Sequence, residues 1–240
     1  MAEKAAIVTG ASSGIGLAIA RMLGEEGFAL TLAARRPEKL QDAAQGLADA
    51  GCEVHHVAGN LGDEEVIKQV VAEHRDRYGR CDVLVNNAGV GMGQAVGEIE
   101  AKKLDIQMAT NLRSIVLFYR EALEMLKAAG AEHRRALVVN TASISAKRGQ
   151  PWLSVYSATK AGVVAFTEAM NKELNSEGIK STALCPAFVD TPMTDFVKGQ
   201  VAPDAMITTE DISEIVRVLL KQSPACIVPE VQFVRPGDPL

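Results

Sequence analysis

Tyr156 and Lys160 stand four residues apart in a segment of helical periodicity, so both side chains lie on one helix face. A free phenol has a pKa of about 10 and is a poor base at neutral pH. A neighbouring ammonium favours the phenolate, the more so away from water. Together they have the makings of a proton shuttle to a substrate oxygen, with Tyr156 as general acid and base. A Tyr-x3-Lys spacing occurs by chance in many helices, so its surroundings matter. Ser143 follows the β-rich run Val138–Thr141 and precedes Tyr156 by one loop, where its hydroxyl can donate to a carbonyl oxygen. Asn111 interrupts the helical pattern of Leu104–Ala129 with a side chain that competes for backbone hydrogen bonds. Taken alone it reads as readily as a surface amide as it does as a kink. A kink would expose a carbonyl able to hold water near Lys160.

A second set of residues reads as an anion site. Thr9-Gly10-Ala11-Ser12-Ser13-Gly14-Ile15-Gly16 leaves a β-rich run and passes straight into a helical one. Glycines permit a tight turn and close backbone approach, and a helix N-terminus offers free N–H groups to phosphate. Gly10, Ser12, Ser13, Gly14, Ile15 and Gly16 thus form a candidate pyrophosphate cradle. The spacing is Gly-x3-Gly-x-Gly, unlike the commoner GxGxxG, and simple turn chemistry is the plainer alternative. The next β-rich run ends in Ala33-Ala34-Arg35-Arg36. An NAD site generally carries an acid there for the adenosine ribose. Two guanidinium groups stand there instead, and arginine matches a phosphate with two parallel bonds. NADP(H) is therefore expected over NAD(H), with Arg35 favoured over Arg36 for the 2′-phosphate, against the alternative of a solvated basic turn.

The elements that must position these groups alternate along the chain. Strands are expected at Ala5–Thr9, Phe28–Ala33, Glu53–Val57, Val83–Asn86, Ala136–Thr141, Lys180–Cys185 and Ala225–Phe233. Helices are expected at Gly14–Glu26, Pro37–Ala50, Asp63–Tyr78, Lys102–Ala129, Tyr156–Ser176 and Thr209–Lys221. The alternation predicts an α/β fold: a single Rossmann-type, doubly wound, seven-stranded parallel sheet with helices on both faces. The strands are short and apolar throughout, as burial on both faces demands. No repeat or linker divides the chain, so residues 1–240 are expected to form one domain. Ala158, Ala161, Ala165 and Ala169 line one helix face, for close packing either on the chain's own sheet or on another subunit.

Composition narrows the rest. Hydrophobic residues make up 48% and aromatic ones 4%, so the core must be largely aliphatic. A net charge of −5 argues against the broad basic face that a nucleic-acid partner needs. No apolar run approaches the roughly 18 residues of a membrane span. Glu3 and Lys4 lead directly into a strand-like run, so no signal peptide is expected. The four cysteines form no CxxC pair and the four histidines no zinc-like spacing. Reduced thiols, a cytoplasmic location and no metal are expected.

In these motifs and their order the chain resembles the classical short-chain dehydrogenases/reductases, from Thr9 to about Thr191. Thr9–Gly16 is similar to that family's TGxxxGxG cofactor loop, and Asn86-Asn87-Ala88-Gly89 to its NNAG segment. The resemblance implies a catalytic tetrad of Asn111, Ser143, Tyr156 and Lys160. It implies that Asn87, Ala88 and Gly89 border the adenosine ribose and that Asn60 and Leu61 lie near adenine. Lys160 would bind the nicotinamide ribose, with Pro186, Val189 and Thr191 at the nicotinamide end. Three departures stand out: Asn60 replaces the usual Asp, Ala187 the usual Gly after Pro186, and Val228-Pro229-Glu230-Val231 the usual glycine-rich ending. The family also implies a homodimer or homotetramer, paired through the helices Lys102–Ala129 and Tyr156–Ser176.

The expected activity is reduction of a ketone, aldehyde or 3-oxoacyl group by NADPH. Val90–Ala95, Ile144–Trp152 and a lid at residues 192–208 are expected to wall the substrate, with Met92, Trp152, Met193, Phe196 and Met206 as apolar lining. The alternatives are an NAD-dependent alcohol dehydrogenase, disfavoured by the absence of an acid near Arg35, and a non-catalytic cofactor-binding sensor. The complete tetrad counts against the sensor, which has no use for a positioned phenol–ammonium pair.

Overall fold

The strands run period-two through two cores. In the computed structural model, which describes residues 2–197, 201 and 203–237, Ile7, Ala33, Leu84 and Val138 point into one apolar cluster. Their neighbours Val8, Leu32, Val85 and Val139 point into another. Both faces of the central strands are therefore buried, which is why those strands read as unbroken apolar runs, while the edge strands Val54–Ala58 and Glu230–Phe233 stay partly exposed. The strands are β1 (Ala5–Thr9), β2 (Ala29–Ala34), β3 (Val54–Ala58), β4 (Val83–Asn86), β5 (Ala136–Thr141), β6 (Ile179–Pro186) and β7 (Glu230–Phe233). They form one parallel sheet in the order β3-β2-β1-β4-β5-β6-β7. The order reverses between β1 and β4, and the crevice beyond the strand ends there is where such sheets bind ligands.

Helices α1 (Gly14–Glu25), α2 (Pro37–Asp49) and α7 (Thr209–Leu220) cover the first cluster through Ile19, Leu40 and Val216. On the other face lie α3 (Glu64–Tyr78), α5 (Ser114–His133) and α6 (Ser154–Leu174), contributing Val70, Phe118 and Leu174. Helix ends follow ordinary capping chemistry. Asp63 accepts from the Glu65 N–H at 3.0 Å, Gly79 closes α3 at φ 71°, and Thr208 with Asp211 forms a capping box on α7.

The sequence pattern is corrected at several places. The helix expected over Lys102–Ala129 is three pieces: α4 (Ala101–Met108), a π-helical turn Ala109–Arg113, and α5, which runs on to His133. β7 starts at Glu230, not Ala225, because a turn at Ser223–Cys226 and the donorless Pro229 precede it. α6 begins at Ser154, two residues earlier than expected. The alanine face of α6 does not pack on the chain's own sheet: Ala158, Ala161, Ala165 and Ala169 are exposed, while Thr159, Lys160, Val163 and Thr167 point inward. The expected lid holds two 3-10 turns, Pro192–Val197 and Pro203–Ala205; its residues 198–200 and 202 lie outside the described residues. Among the described residues no helix is long and apolar enough to cross a membrane.

Candidate active site

At the crevice the turn after β1 is held from behind by the segment after β4. Gly10 and Gly14 take φ of +66° and +57°, which side chains rarely adopt. A Cβ on Gly16 would come within 2.5 Å of both the Gly10 carbonyl and Asn87 Nδ2. Thr9 Oγ1 accepts from the N–H groups of Asn87 (2.9 Å) and Ala88 (3.0 Å) and donates to the Val85 carbonyl. Asn87 in turn donates to the Thr9 carbonyl at 3.3 Å and accepts from Thr141 Oγ1 at 3.2 Å. Three strand ends are thereby tied into one rigid floor. Ser13 caps α1 without using its side chain, so the first-turn N–H groups of α1 face the crevice open to an anion.

The cationic and base-side groups lie to one side. Arg35 and Arg36 are exposed at the end of β2 and form no ion pair among the described residues, which leaves both guanidinium groups available to a phosphate. Asn60, at the end of β3, spends its Oδ1 on the Gly62 N–H at 3.2 Å; Leu61 beside it is buried. On the opposite side Thr191 closes onto the glycine turn, its Cγ2 only 3.0 Å from where a Gly14 Cβ would be. Pro186 ends β6, Ala187 donates to the Phe233 carbonyl, and Val189 bridges Ile207. Glycine loops, an open helix end and free guanidinium groups in one crevice fit a phosphorylated dinucleotide.

The structure brings Asn111, Ser143, Tyr156 and Lys160 together beside this turn. Ser143 follows β5 with its Oγ accepting the Ser145 N–H at 3.1 Å, and its side chain is near enough to the Tyr156 phenol to favour the phenolate slightly. Lys160 Nζ lies 5.7 Å from the centre of the Tyr156 ring and donates to the Thr141 carbonyl at 2.6 Å. Burial lowers the Lys160 pKa to about 8. Burial also raises the Tyr156 phenol above its usual 10, against a smaller opposing effect of Ser143. The lowering expected from the ammonium is not what sets this phenol: desolvation dominates, and the resting phenol is a proton donor.

Asn111 is fully buried rather than on the surface, inside the π-turn. Its Oδ1 accepts the Val90 N–H at 2.8 Å, and its Nδ2 donates to the Val90 carbonyl (2.9 Å) and Thr159 Oγ1 (3.2 Å). It clamps the strand-end segment to α6 one residue before Lys160. Gly89 fits between them: a Cβ there would press on Asn111 Oδ1 and Lys160 Nζ at 3.3 and 3.4 Å. Sequence reasoning missed the backbone of Val90 and the hydroxyls of Thr141 and Thr159, because partners far apart in the chain leave no periodic trace. Gln107, one turn before Asn111 and accepting the Met92 N–H at 3.2 Å, was missed as well.

Of the expected apolar lining, Met92 and Trp152 face a small hollow that Leu104, Gln107, Ser154 and Val155 also line. Met193 and Phe196 are exposed, whereas Met206 is buried and faces a separate hollow beside Val234 and Gly237. Trp152 adopts φ +68°, with its indole laid where a Gly93 side chain would go and its carbonyl accepting from Gln94 N–H. Cys81 and Cys185 are buried, Cys52 and Cys226 half-buried, and all four are free thiols. Among the described residues no group of three or more His, Cys, Asp or Glu could hold a metal.

The model of the short chain dehydrogenase family matches residues 4–201. The chain belongs to the short-chain dehydrogenase family. It is an oxidoreductase of that family, and its sheet is the family's Rossmann-type sheet. A Streptomyces coelicolor protein that carries the name ketoacyl reductase is 40% identical over 238 residues, covering 98% of this chain and 87% of the relative. A variant of actinorhodin polyketide ketoreductase, solved with NADPH, superposes with TM-score 0.86 at 33% identity, covering 97% of each chain. An alcohol dehydrogenase of the archaeon Thermococcus sibiricus, solved with 5-hydroxy-NADP, gives 0.86 at 30% identity over 97% of this chain and 96% of that one. Family membership supports binding of a nicotinamide cofactor.

Proposed function

We propose that this short-chain dehydrogenase is an NADPH-dependent carbonyl reductase acting on a ketone, aldehyde or 3-oxoacyl substrate, with Tyr156 as the acid. The reading is carried by one observation: a protonated phenol, a serine hydroxyl and a buried lysine meet beside a glycine turn at the sheet's switch point. When bound, the nicotinamide supplies the hydride. Gly10, Ser12, Ser13, Gly14, Ile15 and Gly16 hold the pyrophosphate, and Arg35, with Arg36 behind it, binds the 2′-phosphate. Asn60 and Leu61 border the base; Asn87, Ala88 and Gly89 the adenosine ribose; Pro186, Val189 and Thr191 the nicotinamide end. Ser143 and Tyr156 bind the substrate oxygen, and Tyr156 passes its proton to that oxygen as the carbonyl becomes an alcohol. Lys160 stabilises the phenolate left behind and binds the nicotinamide ribose, and Asn111 keeps the surrounding backbone in place.

The names of the relatives favour a 3-oxoacyl substrate, and the complexes with NADPH and NADP favour the phosphorylated cofactor. A 3-ketoacyl reductase of Brucella melitensis solved with NADH keeps NAD(H) in play as a second reading. The exposed Arg35 and Arg36, which form no ion pair among the described residues, weigh against it. We further read residues 1–240 as one cytoplasmic domain with a lid at 192–208, paired as a homodimer or homotetramer through the bare alanine face of α6. The test is the initial rate of cofactor oxidation with NADPH and with NADH over a panel of ketones, aldehydes and 3-oxoacyl thioesters. Turnover that favours NADPH, and that loses this preference in Arg35→Asp, is expected. A preference for NADH, or none, overturns the cofactor assignment.

A further inference from the structure

Trp152 holds its backbone at φ +68°, in the left-handed region that a bulky side chain rarely enters. It is the chain's single tryptophan and is 59% exposed. A strained backbone that displays an indole to water adds little to the core, and such outliers gather where ligands are gripped. Its neighbours place it beside the reacting groups. Gly89, Gly91 and Gly93 are alternate residues of the segment after β4. A Cβ on Gly89 would press on Lys160 Nζ at 3.4 Å, one on Gly91 would touch the Tyr156 ring at 3.8 Å, and one on Gly93 would collide with the Trp152 indole. The three glycines thus meet Lys160, Tyr156 and Trp152 in turn, residues spaced by four through the start of α6. The indole is the next ring after the Tyr156 phenol in that row. Two residues of chain span at most about 7 Å, so both rings stand along one short stretch of backbone. Gly93 beneath the ring and the Gln94 N–H, which donates to the Trp152 carbonyl at 2.8 Å, fix the indole's orientation. The space behind it, among Met92, Leu104 and Gln107, leaves no room for a ligand, so its exposed face is the usable one.

We infer that the exposed face of Trp152 is a stacking platform for an aromatic ring of the substrate, beside the carbonyl held at Ser143 and Tyr156. An indole face attracts a flat ring through offset stacking as well as buried area, whereas an alkyl chain gains the area alone. On the carbonyl-reductase reading, on which this rests, the platform selects ketone and 3-oxoacyl substrates that carry an aryl group next to the reacting carbon. Linear alkyl ketones leave the indole uncovered and are the poorer substrates.

The test compares acetophenone with 2-octanone, methyl ketones of equal carbon count, in wild type, Trp152→Ala and Trp152→Phe. Wild type is expected to show the higher kcat/KM on acetophenone. In Trp152→Ala the ratio of acetophenone to 2-octanone is expected to fall by roughly tenfold, mainly through KM, while Trp152→Phe keeps most of it. An unchanged ratio in Trp152→Ala, or a wild-type preference for 2-octanone, overturns the proposal. Because the chain has no other tryptophan, its indole emission reports this ring alone. With NADP+ in place of NADPH to prevent turnover, acetophenone is expected to quench that emission saturably and 2-octanone to leave it unchanged. Absence of quenching by acetophenone overturns the proposal, as does emission that shifts with protein concentration alone, which makes the indole a contact between subunits. The two readings fail separately. Saturable quenching without reduction of either ketone by NADPH overturns the reductase reading and leaves the platform standing. Reduction of both ketones, with a ratio that Trp152→Ala does not move, does the reverse.

Discussion

At the residue scale, chemistry is set by desolvation competing with partnership. Tyr156 and Lys160 were legible from their spacing, but the sign of the phenol's shift was not, since it depends on burial that spacing does not reveal. Lys160 shows the same effect: its ammonium gives up water for one carbonyl bond, and its pKa falls from 10.5 to about 8. The unfolded chain therefore binds more protons at this site than the folded one between pH 8 and 10.5. Wild-type stability should rise across that window relative to Lys160→Met, measured by denaturant unfolding at stepped pH. A constant difference would show that the lysine is not held in the desolvated state described here. Asn111 was ambiguous in sequence because a surface amide and a buried clamp share one letter; only its bonds to Val90 and Thr159 separate them.

At the element scale, seven strands and the helices between them were readable from apolar runs and period, because parallel strands covered on both faces leave strong local signals. What failed were the junctions. The π-turn at Ala109–Arg113 lies within a pattern of good helix formers, and it carries Asn111, whose side chain bonds the Val90 backbone 21 residues away in the segment after β4. β7 was overextended because Ala225–Val228 is apolar without being paired. The glycine turn makes a sharp prediction at this scale. A Cβ at Gly16 meets backbone of Gly10 and the Asn87 amide together, so neither neighbour can yield cheaply. Gly16→Ala should weaken NADPH binding by roughly tenfold or more, the effect of about 1–3 kcal/mol of overpacking. Titration of NADPH fluorescence checks this, and unchanged affinity would mean that the turn can open without loss.

At the scale of the whole molecule, stability and assembly are set far from the reacting groups. His74 is fully buried under β2, with Thr31 Oγ1 at 2.8 Å from Nδ1 and the Arg80 carbonyl at 2.8 Å from Nε2. Burial lowers its pKa from 6.5 to about 4, although the Arg80 carbonyl opposes the shift. The folded protein thus binds fewer protons here than the unfolded chain between those values, and stability is lost as pH falls from 6.5 towards 4. About 3 kcal/mol is at stake if the full shift applies. His74→Gln should flatten that part of the acid limb; an unaltered slope would place acid sensitivity elsewhere. The exposed alanine face of α6 leads to a separate expectation. On the proposed pairing through this face, Ala165→Glu is expected to lower the mass measured by light scattering relative to wild type, and an unchanged mass would contradict that pairing. Sequence showed the stripe but not its direction, because small residues suit a sheet and a partner helix equally well.

The most direct test of the central claim is Tyr156→Phe, measured for both turnover and cofactor binding. The account predicts that carbonyl reduction falls by about 10²- to 10⁴-fold, as loss of a general acid does, while NADPH affinity changes little. Near-normal reduction by the phenylalanine variant would contradict it, because the proton would then come from another group.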